Sequence, residues 1–516
     1  MILGTWLVLL PPILVLTIAF GKRNLNLALL VGIISAGLLA KDCYIMPTIN
    51  LIIDRLGKQI IDRDYLYIYF FLFTIGILIA LINHTGAARA FAHSITLRLR
   101  NGMMVETASL LLSCVLFIDD YLSNLTTGYV MRPLTDRYKI PRAKLAFLVH
   151  SLAGPLVILA PISSWVAYMT GQLALVGIDS AANKATTKII IEPFYAYIQS
   201  IPFIIYPFTI IASTWFIVRT HISFGPMRHH ETIAKKTGNL FGGKAAPKQA
   251  LEINEHMNGS IIDLLIPVGT LIMLSIFGII FLNTIFSPFF TLCAAGAISL
   301  VLGFALTLIR NTIKKAEIYL VIKSGVLLMT GAILMVILAS TFGVMLRSDL
   351  FIGNYLAQTL LETVHITLLP GIFFIVSLVI ATITGSSWGT MAIMLPVGVP
   401  ILLNLLHPET PIMLSKVPLL LPVIGAIFSG SVCGDQISPI SETTIMASTS
   451  AGCYPIDHAY TQIFYALPAI IGTTIAFFLS GFLLSYHPII NAAISVTTAV
   501  GICCTLLYLL NKVTKK

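Results

Sequence analysis

Ser123-Asn124-Leu125-Thr126-Thr127-Gly128-Tyr129-Val130-Met131-Arg132-Pro133 is a cluster of hydroxyls and amides inside an apolar chain, and its kind recurs. It is followed by Ala160-Pro161-Ile162-Ser163-Ser164-Trp165. Later, Ser386-Ser387-Trp388-Gly389-Thr390-Met391-Ala392-Ile393-Met394-Leu395-Pro396 is followed by Ser438-Pro439-Ile440-Ser441-Glu442-Thr443. The two pairs of blocks are collinear. Duplicated, small, helix-breaking hydroxyl clusters at membrane depth are what the substrate site of a secondary transporter requires.

The surrounding composition fixes the solvent. Of 516 residues, 57% are hydrophobic and 10% charged, and the mean hydropathy is +0.95. A soluble core does not need such a chain, which reads as an all-α polytopic membrane protein. Met1 to Phe20 has neither a basic leading region nor a small-residue cleavage site, so a first spanning helix is expected there. The net charge of +10 is spread over short loops and orients the chain by the positive-inside rule. No nucleic-acid partner is expected. The seven cysteines form no CxxC spacing and predict neither a disulfide framework nor a metal centre.

Lys and Arg placement then selects a topology. Arg98 and Arg100 precede the apolar run 103–118, and Arg132, Arg137, Lys139, Arg142 and Lys144 follow the polar block after it. Both ends favour the cytoplasm, so 103–131 is predicted as a re-entrant hairpin whose tip carries the first Ser/Asn/Thr cluster. The second block, Gly385 to Gly389, falls at the tip of a hairpin entering from the opposite face. In the second element of each copy, proline interrupts an apolar run: Leu145 to Met169 at Pro155 and Pro161, and Leu419 to Met446 around Gly434-Asp435 and Pro439. Proline removes a backbone donor, and the freed groups are tolerated in a bilayer only where they line a protein-walled cavity.

The expectation is one integral membrane domain over 1–516, with two inverted repeats and about eleven crossings plus two hairpins. Repeat one spans about 65–218, with its hairpin at 103–131 and its discontinuous helix at 145–170. A cytoplasmic loop covers 219–258. Repeat two spans about 316–485, with its hairpin at 367–405 and its discontinuous helix at 418–448.

Burying an ionisable side chain at this depth costs about 2.5 kcal/mol or more, so each instance is a functional candidate. Asp119 and Asp120 fall at the first hairpin tip, and Asp435 and Glu442 bracket the second helix break. These four are the candidate cation and proton sites. Capping of a half-helix is the competing reading for Asp119 and Asp435. Ser123, Asn124, Thr126, Ser163, Ser164, Ser386, Ser387, Thr390, Ser438, Ser441 and Thr443 are the candidate oxygen donors for a transported Na+. Trp165 and Trp388, each directly after a Ser-Ser pair, are candidates for gating or packing. Lys323 reads as a snorkelling lysine, His150 as an interfacial histidine and Asp457-His458 as the cap of the next helix. Phe351 to Glu362 reads as an outer-surface helix, and Lys235 to Ala250 as a flexible loop.

Phe117-Ile118-Asp119-Asp120-Tyr121 with Met131 to Asp136, Ala160 to Trp165, Gly434 to Thr444, and Ser450 to Cys453 with Asp457-His458 together resemble the NhaC-type Na+/H+ antiporter family. The resemblance covers roughly 70–480. It implies membership of the ion-transporter superfamily, with two hairpins, two broken helices and a scaffold that commonly dimerises, so a homodimer in the inner cell membrane is expected. Two positions depart from the family pattern. His150 stands where many members carry Asp shortly before the first broken-helix proline, and Glu442 stands where they often carry Asp.

The expected activity is exchange of Na+ (or Li+) for H+ by alternating access, with no cofactor beyond the transported ions. A Na+- or H+-coupled carrier of a small organic anion or amino acid is the alternative on the same fold. An intramembrane hydrolase is disfavoured. Gly434-Asp435 has no Tyr-Asp partner, and His230-Glu231 is followed by Ala234 where a metalloprotease helix needs its second His. No Walker motif is present.

Overall fold

The computed structural model describes residues 5–22, 25–87, 90, 99–181, 187–247, 259–281, 286, 288–351, 355, 365–406, 411–439 and 441–515. Within them the chain is helical apart from one three-stranded parallel sheet of two-residue strands: Ile178–Asp179, Ile189–Ile190 and Ile412–Met413. Eight helices among the described residues are long and apolar enough to cross a membrane, or up to nine if the bent pair Pro193–Phe203 and Ile205–Thr237 is one span. Shorter apolar helices, such as Asn26–Ala40 and Gly102–Val115, accompany them.

Four helix pairs carry the architecture. Gly102–Val115 and Asp120–Arg137 form the first hairpin, turning over residues 116–119. Leu369–Thr384 and Ser387–Leu406 form the second. Its turn needs glycine, because Gly385 closes the first arm at φ +66°. Ser386 then starts the second arm by accepting the Gly389 N–H at 3.1 Å. The first broken helix is Arg142–Leu159 followed by Ser164–Leu175, and the second is Leu420–Ile437 followed by Glu442–Ala451.

The inversion is visible in what the broken helices touch. Arg142, at the start of the first, donates to the Ala451 carbonyl at the end of the second (3.1 Å). At the opposite end, the strand Ile178–Asp179 that follows the first is joined through Ile189–Ile190 to the strand Ile412–Met413 that precedes the second. The two broken helices therefore run antiparallel. The first hairpin has its open end beside Arg142, and the second has its open end beside Ile412.

Small residues let these elements close on each other. A Cβ at Gly128, on the first hairpin, would run into the Ser450 side chain of the second broken helix. Ser450 also donates to the Asn124 carbonyl at 2.8 Å, so contact there is backbone to side chain without a void. The arm Leu420–Ile437 is buried along its whole length.

Several expectations are corrected. The first broken helix runs through Pro155 and opens only at Ala160 to Ser163, where Pro161 ends it. The second runs through Gly434 and Asp435 and opens after Ile437, at Ser438-Pro439. A proline one or more turns inside a packed helix costs one hydrogen bond, whereas Pro161 and Pro439 each stand two residues before the Ser at the start of the following arm, and Ser441 caps that arm through its hydroxyl. The first Ser/Asn/Thr cluster occupies the opening turns of Asp120–Arg137 and not the turn itself. Lys235 lies in the last turn of the helix Gly225–Thr237, and the chain after that helix is organised by Asn239, whose Oδ1 accepts from Phe241 and Gly243 amides at 2.9 and 3.0 Å. Most of the surface helix expected over 351–362 lies outside the described residues.

Candidate functional site

Asp435 is buried one turn before the second break, and the break supplies its partners. Ser441 donates to Asp435 Oδ1 at 2.7 Å, and Thr443 donates to Oδ2 at 3.1 Å. Ser441 is the residue that caps the next arm, accepting the Thr443 amide at 3.1 Å, so interrupting the helix is what turns both hydroxyls back onto the carboxylate. Ser387, from the tip of the second hairpin, lies beside Asp435 and reaches the Ser431 carbonyl at 3.3 Å.

Asp120 opens the descending arm of the first hairpin and is also buried. It accepts the Trp165 indole N–H at 3.1 Å. Asp119 and Asp435 are close enough to act on its charge, so carboxylates from the first hairpin and second broken helix share one neighbourhood. Trp165 stands edge-on to Trp388 with ring centroids 6.2 Å apart. Tyr168 stacks on Trp388 at 4.4 Å and donates its hydroxyl to the Trp388 carbonyl at 2.6 Å. Both tryptophans thus meet between the first broken helix and the second hairpin tip.

The oxygen donors divide into two groups. Ser123 Oγ, both amide atoms of Asn124 and Ser164 Oγ are buried and have no hydrogen-bond partner among the described residues. They belong to the residues one turn after Asp120 and immediately before Trp165. Leaving a buried polar group unpaired costs about 1–3 kcal/mol, so their concentration beside a carboxylate makes this the candidate ligand site. The remaining donors are engaged within the protein. Thr126 donates to Asn83 at 3.3 Å, Ser163 to the Val157 carbonyl at 2.8 Å and Thr390 to the Ser386 carbonyl at 2.9 Å. The Ser438 carbonyl accepts from Thr444 at 2.7 Å, and Ser386 caps the second hairpin's descending arm.

Glu442 stands at the edge of this group, close enough for its charge to act on Asp435. It is exposed, and its carboxylate accepts from the Tyr121 hydroxyl at 2.6 Å. As the first residue of its helix it faces away from its neighbours Ser441 and Thr443, which point inward.

Four features escape a reading of the sequence. His150 is buried rather than interfacial, and each ring nitrogen has a partner: Nε2 lies 3.0 Å from Thr443 Oγ1, and Nδ1 lies 2.9 Å from His458 Nε2. His458 is itself fully buried, and Asp457 pairs with Lys244 at 2.6 Å instead of capping its helix. Tyr206 donates to Gln436 Oε1 at 2.6 Å, fixing the residue beside Asp435. Finally, Lys144 bridges Glu106 (2.7 Å) and Glu231 (2.6 Å) in a buried triad at the open end of the first hairpin. The triad walls a cavity of about 660 Å³ that contains none of the site residues expected from sequence. Local sequence signals none of these contacts, because each joins segments far apart in the chain.

Among the described residues, no group of three or more His, Cys, Asp or Glu side chains is placed to hold a metal ion, and the cysteines are free thiols.

Residues 156–482 match the Na+/H+ antiporter family. The chain belongs to that family. It is 30% identical over 499 residues to an uncharacterized protein of Haemophilus influenzae, covering 92% of this chain and 90% of the relative. It is also 32% identical over 131 residues to a malate-2H(+)/Na(+)-lactate antiporter of Bacillus subtilis, a match spanning 24% of each chain. Among solved structures, the YdaH transporter of Alcanivorax borkumensis is similar at 16% identity and a TM-score of 0.48, over 82% of this chain and 86% of that one. MtrF of Neisseria gonorrhoeae is similar at 13% identity and a TM-score of 0.41, over 90% and 85%. As a member of the Na+/H+ antiporter family, the protein is a membrane-embedded secondary transporter.

Proposed function

We propose that this transporter exchanges Na+ for H+ across the inner cell membrane by alternating access. The observation that carries this reading is buried Asp435, held by the Ser441 and Thr443 hydroxyls at a helix break, with buried Asp120 close enough to feel its charge. Na+ takes oxygen ligands, and the site supplies carboxylates, Ser and Thr hydroxyls, and the carbonyl of Asn124. Asp435 holds the cation or the proton, Asp120 shares its charge, and the unpaired oxygens of Ser123, Asn124 and Ser164 complete the shell. A carboxylate occupied by a proton has lost the charge that holds Na+, so the two cargoes exclude each other. The antiparallel broken helices and the opposed hairpins give that shared site two routes of access. The end carrying Arg132, Arg142 and Lys244 faces the cytoplasm by the positive-inside rule.

A second reading has one observation in its favour. Asn124 Nδ2 is an unpaired donor, and a donor suits a carboxylate cargo where it offers nothing to a cation. The Bacillus subtilis relative is named for malate and lactate exchange. On this reading a small carboxylate sits on Asn124, Ser123 and Ser164 while Asp435 and Asp120 carry the coupling ion.

Purified protein in proteoliposomes separates the two. Na+ pulses followed by an internal pH dye, and counterflow of labelled malate and lactate, are run on the same preparation. Na+-driven proton movement with no carboxylate counterflow supports the first reading. Carboxylate counterflow without a Na+-driven pH change overturns it in favour of the second.

A further inference from the structure

The hydrogen bonds that hold Asp435 continue without interruption through Thr443 and His150 to His458, and this chain can be reversed end to end. We propose that His150 and His458 form a proton relay linking Asp435 to the cytoplasmic end of the helix Pro455–Phe482. The proposal rests on the proton-coupled reading above and adds to it a route for the proton.

The links are short and continuous: Asp435 Oδ2 to Thr443 Oγ1 at 3.1 Å, Thr443 Oγ1 to His150 Nε2 at 3.0 Å, and His150 Nδ1 to His458 Nε2 at 2.9 Å. Thr443 has one proton to give, and with Asp435 ionised it goes to the carboxylate, directly or through Ser441 Oγ 2.7 Å away. Thr443 therefore accepts from His150 Nε2–H. His150 Nδ1 is then bare and accepts from His458 Nε2–H, which leaves His458 Nδ1 bare. That atom is buried and has no hydrogen-bond partner among the described residues. A buried nitrogen left unsatisfied calls for an account, and an acceptor waiting for a proton is one. A relay needs a free acceptor at its entrance.

The step balances without any co-reactant. A proton binds His458 Nδ1, and the proton on His458 Nε2 passes to His150 Nδ1. The His150 Nε2 proton passes to Thr443 Oγ1, and the Thr443 hydroxyl proton passes to Asp435 Oδ2. One proton has entered at His458, one O–H has formed on Asp435, and both rings are again neutral with their tautomers exchanged. The reverse sequence releases a proton from Asp435 toward the cytoplasm.

The placement of the entrance supports this direction. His458 lies in the first turn of its helix, after Asp457, whose carboxylate pairs with Lys244 on the basic face. Tyr454, which precedes that helix, donates to the Ala245 carbonyl at 3.1 Å. His150 is also anchored through its backbone, where its carbonyl accepts from Gln436 Nε2 at 3.4 Å. Thr443 and His458 are the groups that meet the His150 ring, Asp435 joins through Thr443, and among the described residues no other charged side chain is hydrogen-bonded into the chain.

His458→Gln tests the relay, with His150→Gln as the second variant, in full-length protein in proteoliposomes. Two fluxes are read: Na+-driven proton movement, and exchange of labelled Na+ for unlabelled Na+, which moves no proton. The expected result is a tenfold or larger loss of proton movement with Na+-for-Na+ exchange within about twofold of wild type. Retention of both fluxes overturns the relay, and a parallel loss of both assigns the pair a structural role and overturns it equally. Absence of Na+-driven proton movement in the wild type is instead a failure of the Na+/H+ reading. In that case, ¹⁵N-histidine NMR of the full-length protein in bilayers decides. The relay requires that His150 and His458 share one neutral tautomer and change it together between low and high pH. A single unchanging tautomer, or opposite tautomers, overturns it whatever the cargo.

Discussion

Trp165 donates its indole N–H to Asp120 across 3.1 Å, while the same ring stands edge-on to Trp388. A carboxylate of the first hairpin and the tip of the second are therefore coupled through one side chain of the first broken helix. Movement of either hairpin has to carry or break that contact. Trp165→Phe keeps the aromatic packing and removes the donor. A hydrogen bond to a charged group is worth about 1.5–3 kcal/mol, and about 1.4 kcal/mol corresponds to a factor of ten. Transport is expected to fall about tenfold or more, with the thermal unfolding midpoint little changed. Wild-type turnover in this variant would show that the indole N–H plays no part.

The two acidic residues around the second break should behave differently. Asp435 is buried and held by two hydroxyls, whereas Glu442 is exposed and accepts from the Tyr121 hydroxyl. Glu442→Gln retains an oxygen for the Tyr121 hydroxyl, so we expect transport to be reduced by no more than about threefold. A complete loss in Glu442→Gln, measured beside Asp435→Asn, would return Glu442 to the site.

Close packing of the first hairpin on the second broken helix depends on glycine. Gly128→Ala places a methyl group on Ser450, and overpacking of this kind costs about 1–3 kcal/mol. The variant should unfold at lower temperature in detergent. Adding Ser450→Gly should recover part of the loss, because it removes the atoms that clash. No recovery in the double variant would mean that the contact is not where the cost arises.

The Glu106–Lys144–Glu231 triad binds the first hairpin, first broken helix and helix Gly225–Thr237 together. Lys144→Met leaves two buried carboxylates facing each other without a cation. Breaking one partner of a buried ion pair costs about 3–5 kcal/mol, so sharply reduced stability is expected. The triple variant with Glu106→Gln and Glu231→Gln should regain much of it. Similar thermal midpoints for Lys144→Met and wild type would contradict the structural role assigned to the triad.

Much of this architecture is legible in the chain because its signals are local. Pro161 and Pro439 each fall in a break that ends on a serine, Ser441 capping the arm that follows, and Gly385 with Ser386 spells a turn. Pro155 misleads, since a packed helix absorbs a proline that a sequence pattern treats as a break. At Glu442 the limit is different: at a helix start, adjacent residues point in different directions, and hydroxyl neighbours say nothing about which way a carboxylate faces. His458 was out of reach altogether. Only the antiparallel packing of the repeats brings it to His150, and a lone histidine near a helix start carries no mark of that partner.

The central claim is that Asp435 is where Na+ and H+ compete. Its most direct test is dequenching of an internal pH dye in everted vesicles on addition of Na+, wild type against Asp435→Asn at equal membrane expression. A Na+-dependent signal in the wild type that disappears in Asp435→Asn is the predicted result. An undiminished signal in Asp435→Asn, or no Na+ response in the wild type, would contradict it.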